Sequence, residues 1–255
     1  MTTLSSIMLA MSVLLASACA NAPTRPIAGQ PADTLDPGAM NGAGGGSCTP
    51  PACPLGAETF TTVLGASNPS QLLGLAAEPG GNALVGASTP STAAGVSGVT
   101  ELSASGLVLS RLPFGSLVAT DAAGNKYIAG AITGPIDVGP GVVLMPKGNV
   151  DVFIVKLNVD GRLVLAKVLD LCGADLLALA VGADGRIALS GSPFGTVVLS
   201  ASGEIQHAFP EVGQVAFDST GDLLIAGSQT ATAFAFLERR DPSGTLVFHT
   251  SFEGQ

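Results

Sequence analysis

The chain has 255 residues, of which 47% are hydrophobic and 11% charged, so it is long and apolar enough to bury a core. Its 34 glycines and 17 prolines exclude a fold of long helices and predict many turns. The formal net charge of −9 repels phosphate backbones, which argues against a nucleic-acid partner and otherwise serves solubility. With no Trp, one Tyr and ten Phe, the core must be largely aliphatic.

The chain opens with an apolar run over 7–18 that is too short to cross a bilayer comfortably. Small residues and then Cys19 follow this run, which is the layout of a signal peptide over 1–19, although no Lys or Arg precedes Arg25. Residues 16–19 also resemble a bacterial lipobox, in which the Cys after the cut becomes lipid-modified; Ala16 stands where that pattern prefers Leu, Val or Ile. We expect an exported protein, either anchored in the cell envelope through Cys19 or released from the cell after an ordinary cleavage nearby.

A Pro- and Gly-rich stretch over 20–56 follows, and it has too few apolar side chains to fold, so it reads as a flexible linker. Cys48 and Cys53 lie within it and predict a small local disulfide in an oxidising compartment. Cys172 then has no partner, and a buried inert thiol is its expected state. The rest of the chain, 57–255, is predicted to be one repeat domain.

A four-residue pattern recurs eight times in this domain, with a glycine in the fourth position between two apolar runs. A short polar side chain at the first position caps a type I turn, and the glycine takes the left-handed conformation that returns the chain to a strand. One copy has Gly182 in place of the polar residue. The eight turns are 78–81, 103–106, 121–124, 158–161, 182–185, 200–203, 218–221 and 241–244.

Runs of four to six mostly apolar residues flank every turn, and each predicts a short strand packed on both faces. Pairing the eight hairpins gives four units of four strands, at 72–115, 116–173, 174–212 and 213–252. Four strands in each unit of roughly 40–50 residues are typical of a β-propeller blade. The sequence therefore predicts an all-β, propeller-like array of about four four-stranded blades.

The second unit resembles the bacterial β-propeller repeats often called SBBP repeats. It carries the Asp-x-x-Gly-Asn-x-Tyr-x-x-Gly element at 121–130, a Gly-rich middle at 134–141, and the Asp-x-Phe-Ile-x-Lys element that ends in Gly at 151–161. The resemblance is fair in the fourth unit and weak in the other two, and the strand Trp of the family is absent. The resemblance implies a propeller-like scaffold, either complete or lacking some of its blades.

Ring closure is a separate question, because the family commonly has more than four repeats. A closed four-bladed ring, an open arc and a truncated chain are all compatible with the repeats. The segment 58–65 looks like the last strand of a preceding unit, and we expect the strand to add at an edge of the array.

Candidate catalytic and metal-binding residues are few. His207 and His249 lie near or in the last strands of their units, at the periphery of a propeller. A metal site needs three or four converging ligands, and the acidic turn residues such as Asp160, Asp184 and Asp218 are better explained as turn caps. The adjacent charges 239–241 are predicted to form a solvated rim. The sequence thus predicts no catalytic residue, no cofactor and no metal.

Two functions remain open. The first is a non-enzymatic exported cell-envelope or surface protein, whose loops bind a protein or polysaccharide partner. The second is a secreted propeller enzyme of lyase or glycosidase type, with its site at the central face. Such enzymes need converging carboxylates or a His/Tyr set on the inner strands. The inner-strand residues here are mostly Leu, Val, Ala and Gly, which favours the first function.

Overall fold

The structure, a computed structural model, describes residues 71–88, 97–171, 175–229 and 234–252. These residues form eighteen strands. None of the described residues belongs to a helix long and apolar enough to cross a membrane. The predicted strand over 58–65 lies outside the described residues.

Sixteen strands form four antiparallel sheets of four strands each. The first sheet contains β1 (Gln71–Ala77), β2 (Ala83–Ser88), β3 (Ser97–Leu102) and β4 (Val108–Leu112). The second contains β5 (Leu117–Thr120), β6 (Lys126–Ile132), β9 (Asp151–Leu157) and β10 (Leu163–Leu169). The third contains β11 (Asp175–Val181), β12 (Ile187–Ser192), β13 (Gly195–Leu199) and β14 (Ile205–Phe209). The fourth contains β15 (Gln214–Phe217), β16 (Leu223–Gln229), β17 (Phe234–Arg240) and β18 (Leu246–Phe252).

All eight predicted turns are present, each joining neighbouring strands of one sheet. In every turn the glycine amide donates to the carbonyl of the first residue, and the glycine φ lies between 77° and 86°. An L side chain at such a φ is strained, which explains the glycine in the fourth position. Asp121 shows the capping role: its carboxylate accepts from the amides of Ala123 and Asn125 at 3.0 and 2.9 Å.

The turn at 182–185 lacks the capping side chain but keeps the same backbone hydrogen bonds. Asp184 replaces the cap from the third position, where its carboxylate accepts from the amide of Arg186 at 3.1 Å. A Cβ at position 182 would lie 2.7 Å from the carboxylate of Asp184 and 3.3 Å from the ring of Phe217 in the next sheet. Glycine at this position therefore leaves room both for the Asp184 carboxylate and for the fourth sheet.

The Gly-rich middle of the second unit is a small ribbon of two strands, β7 (Ile136–Gly139) and β8 (Val142–Leu144). The Gly-rich composition of this segment predicts no strand, since Gly and Pro weaken strand patterns. Val138 and Leu144 are buried in the core between the first two sheets, so hydrophobic contact holds the ribbon in place. The ribbon lies between the second and third strands of the sheet.

Successive sheets pack face to face around three apolar clusters, one at each junction. The first strands of the sheets lie next to one another: β1 contacts β5, β5 contacts β11, and β11 contacts β15. Among the described residues, extensive contacts join only consecutive sheets, and none joins the fourth sheet to the first. The described part is therefore an all-β, propeller-like open arc of four blades, which confirms the predicted fold class.

Glycines in the second strands make room for phenylalanine rings. A Cβ at Gly130 would lie 2.8 Å from the ring of Phe153, its partner on β9. Gly227 and Phe236 repeat this arrangement on β16 and β17, again at 2.8 Å. The Tyr-x-x-Gly element of the second unit thus ends in a glycine because a buried ring covers that position.

Candidate functional site

A cleft of about 840 Å³ lies between the third and fourth sheets, beside the segment that links β14 to β15. Its wall combines apolar side chains with serine and glutamine side chains and carries one ionisable group, that of Glu211. The lining includes Leu177, Ser192, Pro210, Val212, Gln214 and Ser228. Leu177 comes from the innermost strand of the third sheet, so the cleft borders the inner edge of the arc.

Buried hydroxyl groups hold the linker that forms one side of this cleft. The hydroxyl of Thr196 donates to the carbonyl of Glu211 at 2.7 Å and lies 3.0 Å from the hydroxyl of Ser190. The Ser190 hydroxyl in turn accepts from the amide of Gly213 at 3.0 Å. Both hydroxyl residues are fully buried, so the cleft is shaped before any ligand arrives.

An ionic cluster lies behind the cleft wall, between the outer strands of the third and fourth sheets. Glu238 is 2% exposed and pairs with Arg240 on one oxygen and with His249 on the other, at 3.3 Å. The Arg240 guanidinium covers the ring of Phe209 at 4.1 Å, and the His249 ring stacks on Phe236 at 5.7 Å. The contact between Arg240 and Phe209 joins the fourth sheet to the third, whereas the other contacts lie within the fourth sheet; Glu238 does not line the cleft.

The prediction of a solvated rim at 239–241 is wrong for Arg240. Its side chain is largely buried, because strand register turns it towards the third sheet beside Glu238. Arg239 points to the other face and pairs with Asp218 and Asp222 at 3.0 and 2.7 Å. Alternation along the strand, rather than the run of charges, decides where each side chain goes.

The two histidines lie in the outermost strands β14 and β18, as the sequence predicted. His207 stacks on Phe209 at 6.1 Å, on the face of the third sheet that meets the fourth. Across the described ranges no group of three or more His, Cys, Asp or Glu side chains could hold a metal ion. The rings of His207 and His249 instead serve as packing surfaces at one junction.

Asp218 and Asp241 cap their turns as predicted, whereas Asp160 does not cap its turn. The hydroxyl of Thr220 donates to Asp218 at 2.6 Å, and this hydrogen bond holds the pKa of Asp218 below its usual value. The hydroxyl of Ser243 lowers the pKa of Asp241 in the same way. In the turn at 158–161, Asp160 lies 3.4 Å from the side-chain amide of Asn158, whose oxygen caps the turn.

A second ionic cluster, which sequence reasoning missed, joins the first two sheets beside a smaller cavity of about 370 Å³. Lys126 lies 2.8 Å from Glu101 and 3.0 Å from Glu78, and the Glu78 contact is an ion pair without hydrogen-bond geometry. All three side chains are mostly buried. Burial lowers the pKa of Lys126, but the two carboxylates outweigh it, and the pKa is raised above its usual value.

The remaining candidate residues lie outside the described residues. They are the expected lipidation site Cys19, the expected disulfide pair Cys48 and Cys53, and Cys172, which was expected to be a buried thiol.

No protein-family model and no curated protein matches this chain. Solved structures that resemble it include a eukaryotic initiation factor, at 12% identity and TM-score 0.34, covering 72% of this chain and 55% of that chain. A protein from Thermus thermophilus named as an oxidoreductase (glucose dehydrogenase) covers 77% and 75%, at 16% identity and TM-score 0.46. BamB from Moraxella catarrhalis covers 72% and 77%, at 10% identity and TM-score 0.30. The chain thus spans about half the length of the initiation factor. The description of this chain as a propeller-like array is based on the pairing of its own strands.

Proposed function

We propose that this chain is a non-catalytic, exported scaffold of the cell envelope or cell surface. In this proposal the cleft between the third and fourth sheets binds a protein segment or a glycan. Its volume of about 840 Å³ lies within the range of roughly 300–1,000 Å³ that ligand sites occupy. The resemblance of 121–161 to SBBP-type repeats supports the same scaffold role.

The character of the cleft wall carries this proposal. Apolar side chains supply contact area, while Ser192, Gln214 and Ser228 supply hydrogen bonds to a neutral polar ligand. Glu211, the one ionisable residue among the described residues of the lining, lies 3.6 Å from Arg240 in an ion pair without a hydrogen bond. Glycosidases and lyases use converging carboxylates, whereas here the buried carboxylate of Glu238 faces Arg240 and His249.

Binding should depend on the apolar side of the cleft. Replacing Leu177 with Asp places a charge on that wall at an exposed position, so the fold is kept and affinity falls at least about 10-fold. The matched control is Gln206→Asp, on the exposed outer strand β14. The probes are an array of defined oligosaccharides and a library of displayed peptides.

Two results would contradict the cleft as the binding site. One is that neither probe set binds the wild-type protein above background. The other is that Leu177→Asp binds as tightly as Gln206→Asp does. Cleavage of a bound oligosaccharide would favour the enzyme function instead of a scaffold.

Export and anchoring are tested separately at Cys19. We expect the mature protein to partition into a detergent phase, and mass spectrometry to find an acyl-modified Cys19 as its first residue. Cys19→Ser should move the protein to the aqueous phase, whereas Cys172→Ser should leave partitioning unchanged. An unmodified mature N-terminus at another residue contradicts the lipid anchor.

A further inference from the structure

Each end of the arc presents one sheet face that no other described sheet covers. The second and third sheets pack on both faces, and their strands β9 and β12 are buried on both sides. The free side of the first sheet, here the leading face, contains Leu72, Leu75, Val85, Ala87 and Thr100. The free side of the fourth sheet, here the trailing face, contains Leu224, Ala226, Leu237, Phe248 and Phe252. Ala226 also lines the cleft between the third and fourth sheets, so whatever covers this face borders that cleft.

Each of the first three sheets packs one face against the following sheet, and the trailing face is the equivalent face of the fourth sheet. Three residues after the turn glycine, that side carries a side chain buried to 1% or less: Leu84, Tyr127 and Ala188 in the first three sheets. The equivalent residue of the fourth sheet, Leu224, is half-buried, and Ala226 on the same face is exposed. Phe248 and Phe252 on the outer strand are 38% and 51% exposed.

Each of the last three sheets packs its opposite face against the preceding sheet, and the leading face is the equivalent face of the first sheet. Four residues after the turn glycine, that side carries Ile128, Leu189 and Ile225 in the last three sheets, each fully buried. In the first sheet this residue is Val85, which is half-buried. Its neighbour Leu75 is 49% exposed, whereas the equivalent Val118 of the second sheet is 6% exposed.

The two free faces are therefore the two halves of a junction that the chain already forms three times. We propose that a second copy of this chain supplies the missing half, with the trailing face of each copy packed on the leading face of the other. The pair then contains eight sheets joined head to tail, and each of its two new junctions continues the pattern of the three within each chain. Eight blades lie within the range of about four to eight that propellers use.

The size and charge of the faces fit this pairing. Each face is four strands wide, at a spacing of about 4.8 Å, and about six residues of 3.3 Å long, which gives roughly 400 Å². The four faces of the two new junctions together amount to about 1,600 Å². A stable interface buries roughly 1,200–2,000 Å². On the trailing face Arg239 is already paired with Asp218 and Asp222, so docking would not bury the charge of Arg239 without a partner. On the leading face, Arg111 lies opposite Thr100 on the outermost strand β4 and is exposed, so its guanidinium lies at the outer edge of the interface.

Native mass spectrometry of the full chain in mild detergent tests the pairing, and we expect twice the mass of one chain at micromolar concentration. Leu75→Asp damages the leading face and Phe248→Asp the trailing face, so either change should raise the dissociation constant at least about 100-fold. Both residues are exposed within one chain, so the fold is kept. The matched control is Val164→Asp, an exposed apolar residue on β10 of the second sheet, and it should still pair.

Mixing the two damaged chains identifies the head-to-tail arrangement. One junction of the mixed pair keeps a sound trailing face and a sound leading face, so a mixed pair forms at a concentration where neither variant pairs alone. A wild-type monomer would overturn the proposal, and would point to another part of the chain, such as 58–65, as the cover. A Leu75→Asp protein that still pairs, or wild-type chains that form open polymers, would overturn it as well.

Discussion

Replacing Lys126 with Met should lower the free energy of unfolding by about 3–5 kcal/mol, because it leaves two buried carboxylates without their counter-ion. Methionine keeps the length of the side chain, so the loss reports charge rather than packing. Glu78 lies in a turn of the first sheet and Glu101 on β3, while Lys126 opens β6 of the second sheet. The change therefore weakens the junction of the first two sheets.

The measurement is urea unfolding at neutral pH, followed by circular dichroism and by the fluorescence of Tyr127, the single tyrosine in a chain without tryptophan. Because the folded pKa of Lys126 is raised, its stabilisation is complete below the ordinary value of 10.5 and is lost only as pH rises through the folded pKa. The control is Lys167→Met, which breaks an exposed pair with Glu204 and should cost about 0–1 kcal/mol. Adding Glu101→Gln to Lys126→Met should recover part of the loss. Equal effects of the two lysine changes would contradict the buried cluster.

Replacing Phe153 with Ala should cost about 3–5 kcal/mol, the usual range for a fully buried phenylalanine. The ring lies in the cluster between the first two sheets, and its edge meets Phe114 with the centroids 6.1 Å apart. It also covers Gly130 on the neighbouring strand. The loss combines an unfilled cavity with the removal of these ring contacts. Equilibrium unfolding of the variant and wild type measures it, and a cost below about 1.5 kcal/mol would show that the site collapses to fill the space.

The same pair gives a double-mutant cycle. Gly130→Ala in the wild type should cost about 1–3 kcal/mol, since its Cβ would lie 2.8 Å from a ring that cannot move. In the Phe153→Ala protein the same change should cost less, although the backbone of Gly115 at 3.0 Å keeps some strain. Gly134→Ala is the control, because a Cβ there meets nothing within 4 Å. Additive effects of the two core changes would show that ring and glycine do not interact.

The strands and turns could be predicted because their causes are local. A glycine in the fourth position and a polar residue in the first, as in 121–124, specify a turn without reference to any distant residue. Once the turns are placed, alternation along each strand assigns the faces. The ribbon of β7 and β8 escaped prediction because its glycines hide a short strand pattern, and burial of Val138 and Leu144 by the neighbouring sheets stabilises it.

The ionic clusters and the cleft could not be predicted, because their members come together only when sheets stack. Glu78, Glu101 and Lys126 belong to two sheets, and no spacing in the sequence links them. Arg239 and Arg240 look alike in the sequence, yet one faces away from the third sheet and the other is buried against it. The cleft depends in the same way on how the linker after β14 passes between two sheets.

Each four-stranded sheet is built from one continuous stretch of the chain, with spans of 71–112, 117–169, 175–209 and 214–252. The sheet hydrogen bonds therefore close short loops, and the entropy lost before each bond forms is small. Each sheet can pair its strands as soon as its own stretch emerges from the ribosome, before the next stretch is present. The order in which the four described sheets emerge is then the order in which they pack on one another.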